Sequence, residues 1–147
     1  MERSLRFVLL GTFTLRFSTG LTGAMLGLYL AKLPLYGGPE VDARLVGLFA
    51  ATFYLSELVL SPLFGILSDR TGHHRVMLYG PIFGAIAVVI TGLTAYWLNT
   101  GFHVDAQLPL LGVTRLLEGA STAASVPSIL GFIAAVEAPS KIGRAHV

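Results

Sequence analysis

Four long apolar runs joined by short polar segments constrain this chain more than any other feature of its 147 residues. A helix that crosses a bilayer needs roughly 20 predominantly apolar residues, because about 30 Å of hydrocarbon is covered at about 1.5 Å per residue. Residues 7–30, 45–67, 76–97 and 108–136 all reach that length, and the third lies in a run, 76–104, with no Lys, Arg, Asp or Glu. The joints carry turn and charge signals: Gly37-Gly38-Pro39 within 34–44, a short charged stretch at 68–75, and a polar stretch with Asp105 at 99–107. One such run could be the core helix of a soluble protein. Four in succession could not be covered by a chain this short, whose exposed apolar patches would have to stay within a few hundred Å². The expectation is an all-α integral membrane protein with four transmembrane helices in one domain.

Composition agrees and removes other classes. Hydrophobic residues make up 54% and charged residues 12%, which excludes disorder. Ten Lys and Arg against eight Asp and Glu leave a net charge of only +2, too little for a phosphate-binding face, so no nucleic acid is expected as a partner. With no cysteine there is no disulfide scaffold, thiolate metal site or cysteine nucleophile. Arg16 interrupts the first run, which is also too long for a cleaved signal peptide, so that run is expected to stay as a helix.

Lys and Arg near the span ends set orientation. A cytoplasmic N-terminus puts Arg3, Arg6, Arg70, Arg75, Lys141 and Arg144 inside and Lys32 and Arg44 outside. The many glycines suit helices that meet in lipid through small residues. Gly23 and Gly27, Gly80 and Gly84, and Ser61 and Gly65 are each four apart and read as packing.

Arg16, Glu57, Arg115 and Glu118 are ionisable groups inside these spans, where each costs about 3 kcal/mol at mid-helix unless paired or facing a wet cavity. Arg16 and Glu57 sit at comparable depth and could pair. Arg115 and Glu118, three apart, share one helix face, either as a structural pair or as two groups facing a cavity. Spans one and four also echo each other: Arg16, Gly20 and Ala24 recur as Arg115, Gly119 and Ala123, both R-x-x-x-G-x-x-x-A. That spacing keeps the three residues on one stripe, with a small-residue surface for helix packing below the guanidinium. Because span one runs outward and span four inward, the echo suggests inverted three-helix repeats.

Residues 65–75, Gly-Ile-Leu-Ser-Asp-Arg-Thr-Gly-His-His-Arg, end one span, turn and start the next. A small residue admits a neighbouring helix, an acid follows one turn later, and a glycine permits the reversal before a basic end. This segment resembles the loop between helices two and three of the major facilitator superfamily, G-x-x-x-D-R-x-G-R-[KR]-x, with Gly65, Asp69, Arg70 and Gly72 in place, His73 and His74 replacing the basic pair, and Arg75 keeping one positive charge. Arg115-Leu-Leu-Glu-Gly119 is similar to the family's fourth-helix signature R-x-x-x-G-x-G-x-A, with Ser121 at the second glycine and Glu118 where glutamine is common.

The resemblance implies a secondary transporter of 12 spans in two six-helix halves, with this chain as part of the first half. Its partners would be a small-molecule solute, a co-transported proton, the lipid bilayer and the remainder of the transporter chain, with no cofactor and no enzymatic activity. By the same resemblance Gly65, Asp69, Arg70, Gly72 and Arg75 gate the cytoplasmic side and Arg115 takes part in coupling or binding. Arg16, Glu57 and Glu118 join Arg115 as substrate or coupling candidates on physical grounds, and Gly20, Gly23, Gly27 and Gly119 are expected at helix contacts. The implied location is the plasma membrane, expected to be a bacterial inner membrane.

Only four spans occur, so residues 1–141 are expected to be a partial amino-terminal domain, and the chain a fragment that does not transport alone. Residues 142–147 resemble the translation of a sequencing adapter, which makes them an expected non-native tail; without Arg144 the inside charges still outnumber the outside ones. A small four-helix assembly or anchoring protein would explain the composition but not the arginine stripes or the Asp69 turn. An intramembrane enzyme lacks a supporting motif, and the adjacent His73 and His74 would point apart on a helix, reading as solvated turn residues and not as a metal site.

Overall fold

The computed structural model describes residues 2–100 and 106–142; Asp105 and the tail from 143 onward lie outside the described residues. Among the described residues every regular element is helical: α1 (Glu2–Lys32), a 3-10 turn (Leu33–Tyr36), α2 (Ala43–Thr71), the short α3 (His73–Met77), α4 (Tyr79–Asn99) and α5 (Gln107–Ile142).

Local chemistry sets the ends. In α1 the hydroxyls of Thr12, Thr14, Thr19 and Thr22 each donate to the carbonyl four residues back, at 2.8–2.9 Å, so these polar groups need no water. The helix gives way to the turn containing Pro34, and Gly37 follows at φ 79° with its N–H on the Pro34 carbonyl at 3.2 Å. Asp42 caps α2, its carboxylate accepting from the Leu45 N–H at 2.9 Å. Gly72, at φ 98° and ψ 133°, takes a backbone path that an L side chain disfavours and turns the chain between α2 and α3.

The expected third span is not one continuous helix. It is interrupted at Leu78, between α3 and α4. Pro81 supplies the reason, because it has no N–H for the Met77 carbonyl and its ring crowds that oxygen. Ala43–Thr71, His73–Trp97 and Gln107–Ala135 are long and apolar enough to cross a membrane. The first expected span is a helix of 31 residues, but Arg16 and four threonines dilute its apolarity below that of the other three.

α5 is the hub. Its span is 56% buried, against 11% for α2 and 17% for the α3–α4 stretch. Contacts along α2 and α5 advance together: Phe49 lies by Leu111, Ser56 donates to the Leu116 carbonyl at 2.8 Å, and Gly65 sits beside Pro127. The two helices therefore run parallel. α4 runs the other way along α5, with Ser121 donating to the Gly80 carbonyl at 2.6 Å. α1 runs antiparallel to α2, joining it through Arg16 and Glu57 at mid-length and through Leu26 and Leu30 in a buried cluster with Phe49 and Leu111. Outward faces carry exposed Phe13, Phe17, Leu58, Ile86 and Leu130, as a lipid-facing surface would.

Candidate functional site

The first third of α5 holds a buried charge pair. An Nη2 hydrogen of Arg115 is donated to Glu118 Oε1, and the two residues are only 4% and 8% exposed. Helical spacing of three places them one turn apart on the same face, so the pair forms within a single helix. It is incompletely satisfied: Arg115 Nε and Glu118 Oε2 have no hydrogen-bond partner among the described residues. A buried pair of this kind offers one free donor and one free acceptor while carrying no net charge.

Space adjoins the pair on both sides of α1. Between α1, α2 and α5 lies a cleft of about 270 Å³, lined by Gly20, Gly23 and Ala24 of α1, Phe53 and Tyr54 of α2, and Arg115. Between α1, α4 and α5 lies another, of about 410 Å³, lined by Ser18, Thr22, Pro81, Val88, Glu118 and Ser121. Thr19 borders both clefts. Arg115 also borders a third space of about 160 Å³, with Tyr29 and Thr91. The arginine and the glutamate thus open onto different chambers.

The two R-x-x-x-G stripes stand in different surroundings. A Cβ at Gly119 would strike the Phe53 carbonyl oxygen and lie 2.7 Å from Ser56 Cβ, so this glycine lets α5 press directly on the α2 backbone. Cβ atoms at Gly20, Gly23 or Gly27 would meet nothing within 4 Å, and all three line the first cleft. Arg16 and Glu57 form the second ion pair, Nη1 to Oε1 at 3.8 Å, with side chains 50% and 24% exposed. That contact joins α1 to α2 far more loosely than the α5 pair is held.

Gly65, Asp69, Arg70, Gly72 and Arg75 lie together at the α2–α3 end of the bundle, away from both ion pairs in sequence and along the helices. Asp69 and Arg70 occupy the exposed last turn of α2, Gly72 makes the bend, and Arg75 is exposed on α3. His73, read from the sequence as a solvated turn residue, is half-buried instead. Its Nδ1 lies 2.7 Å from Ser68 Oγ and its ring faces Gly131 of α5. His74 stays exposed, as adjacent positions on a helix require. Among the described residues no group of three or more His, Asp or Glu could hold a metal ion.

Three further polar positions had little or no signal in the sequence. Ser56 and Ser121 tie α2 and α4 to α5, and small residues at four-residue spacing were the only hint of such contacts. Gln107 is 1% exposed with both amide atoms unpartnered among the described residues, and its place in a polar joint gave no reason to expect burial.

Comparisons agree with the residue pattern. Residues 8–146 match the family model of the Major Facilitator Superfamily. Quinolone resistance protein NorA of Staphylococcus aureus (strain MRSA252) is 26% identical over 136 residues, covering 92% of this chain and 31% of the relative. Multi-drug resistance efflux pump PmrA of Streptococcus pneumoniae is 25% identical over 136 residues, covering 92% of this chain and 30% of the relative. The chain therefore spans about a third of the length of the curated relatives it matches. No solved structure matches the chain significantly. With the family model matched along nearly the whole sequence, and with several helices long and apolar enough to cross a bilayer, this multi-pass membrane protein belongs to the Major Facilitator Superfamily.

Proposed function

We propose that the chain builds the first four membrane crossings of a secondary transporter that moves a small organic solute by alternating access. The observation that carries this reading is the incompletely satisfied Arg115–Glu118 pair, buried in the first third of α5 and bordered by chambers on both sides of α1. A purely structural pair has no need of adjoining space. Ionisable residues kept at membrane depth are characteristic of solute and proton paths. The antiparallel and parallel registers of α1, α2, α4 and α5 support four successive crossings, and the repeated arginine stripe supports inverted repeats within a six-helix half.

In this reading Arg115, Glu118, Arg16 and Glu57 bind the solute or couple its movement to a proton, since withdrawing an arginine from a carboxylate changes that group's proton affinity. Gly65, Asp69, Arg70, Gly72 and Arg75 form the cytoplasmic gate. The N-terminus is cytoplasmic by the balance of Lys and Arg, and the membrane is the bacterial plasma membrane. The relatives, named for quinolone resistance and multi-drug efflux, support export as the direction to test first.

The test expresses the complete reading frame in bacteria lacking their own exporters and follows accumulation of a fluorescent quinolone. Energy-dependent exclusion is expected, and it should weaken in the variants R16Q, E57Q, R115Q and E118Q. Undiminished exclusion in all four would remove these residues from the path. A protein that reaches the membrane and moves no solute from a broad panel would end the transporter reading.

A further inference from the structure

We infer that His73 is a positioning residue that docks the α2–α3 turn, and with it Asp69 and Arg70, onto α5. Three observations converge on it. The imidazole Nδ1 lies 2.7 Å from the hydroxyl of Ser68, which is itself 1% exposed at the end of α2. Across the helix boundary the ring sits against Gly131, where an added Cβ would fall 2.5 Å from Cε1, 2.6 Å from Nδ1 and 3.1 Å from Nε2. The next buried residue of α3, Val76, is 0% exposed, and Met77 shares a cleft with Ser125 and Ile129 of α5.

A five-residue helix has too few hydrogen bonds to hold its own place, so its position is set by what it packs against. Here an aromatic ring enters a notch that only glycine leaves open, while one ring nitrogen is held by the preceding helix. A flexible Lys or Arg at this position would keep its charge in water and could not fill that notch in the same way. The histidine thereby converts a charged turn into a three-helix joint of α2, α3 and α5. Movement of Asp69 and Arg70 away from the bundle then requires the ring to leave Gly131. The gating role of that segment rests on the transporter reading above, whereas the docking itself does not.

The test uses the absence of native cysteine. V76C in the 147-residue chain, held in detergent micelles or nanodiscs, gives a single thiol, buried on α3, and its rate of maleimide labelling reports undocking of the turn. L111C, at a residue 0% exposed far from the turn, reports global opening. H73A, S68A and G131A are each expected to raise V76C labelling about tenfold or more, as local opening becomes easier, and to leave L111C protected. G131A should add little in the H73A background, because the methyl group then enters vacated space, and such non-additivity marks a direct contact. Unchanged V76C labelling in H73A, or additive effects of H73A and G131A, would overturn the assignment. So would equal exposure of L111C, which would make the loss global. None of these readouts requires transport, so a failure of the transporter reading would leave the docking result standing.

Discussion

Arg115 and Glu118 are hydrogen-bonded within one turn of α5, yet they share no chamber: the arginine meets the cleft shared with α2 and a smaller space beside Tyr29 and Thr91, and the glutamate meets the larger cleft shared with α4. α1 is the wall between these spaces, with Thr19 touching both. On the α2 side the cleft borders the arginine alone, whereas on the α4 side the glutamate and the arginine border neighbouring spaces. Such an arrangement lets events on opposite sides of a helix be read by the same pair of charges.

The first prediction follows from burial. Removing one partner leaves an uncompensated charge in a low-dielectric setting, a loss of about 3 kcal/mol or more, whereas replacing both by apolar groups removes the charge altogether. R115L and E118L are each expected to lower the thermal unfolding midpoint sharply in nanodiscs, and the double variant R115L/E118L to recover most of the loss. Additive losses in the double variant would show that the two side chains are not each other's main partners.

The second pair should behave differently. Arg16 and Glu57 are 3.8 Å apart, with the arginine side chain half exposed. At that separation the two groups share no hydrogen bond, so the contact holds them less firmly than the hydrogen-bonded Arg115–Glu118 pair. E57Q is therefore expected to shift the melting midpoint less than E118Q, and the exchange R16E/E57R to retain most of the stability. Melting curves recorded side by side in one lipid composition give the ranking directly.

Much of this was legible in the chain because its cause is local. Apolar runs of the right length mark the helices, and a spacing of three puts Arg115 beside Glu118 whatever the rest of the protein does. Equal depth in neighbouring spans was enough to suggest Arg16 with Glu57. What escaped depends on packing between distant segments. The break at Leu78 has a signal in Pro81, but the surrounding apolar run hides it. His73 looks like one more charge of a turn until Gly131, almost sixty residues later, supplies its seat. Gln107 stands in a polar joint and becomes buried only when α5 is assembled against its neighbours. The R-x-x-x-G echo is plain in the sequence, but nothing there says that one glycine presses on a helix backbone and the other borders open space.

That contrast gives a third prediction. G119A forces a methyl group against the Phe53 carbonyl and Ser56, and separating α2 from α5 is expected to cost about 1–3 kcal/mol. G20A meets nothing within 4 Å and gains the better helix propensity of alanine, so stability should stay level or rise by up to about 1 kcal/mol. Comparison of the two variants by circular dichroism melting tests whether equivalent positions in the echo have diverged in role. Equal destabilisation would mean that α1 lies closer to α5 than the clefts imply.

The last prediction concerns the chain by itself. α1 presents Gly20, Gly23 and Gly27 to open space, and its polar Ser18, Thr19 and Thr22 border clefts that are open on one side. A solute path must exclude lipid and close alternately at its two ends, which needs walls that the described helices do not supply. Reconstituted into proteoliposomes, the 147-residue chain is expected to insert with its helices formed, measured by circular dichroism, and to show no gradient-driven uptake of a quinolone. In the transporter reading proposed above, a longer protein that carries this sequence, treated identically, should transport. Uptake by the short chain, abolished by R115Q, would place a working path within these four helices and would reduce the rest of a longer protein to an accessory. Uptake that survives R115Q would instead indicate leak through an unsealed bundle, which collapse of the imposed gradient in the same vesicles would reveal.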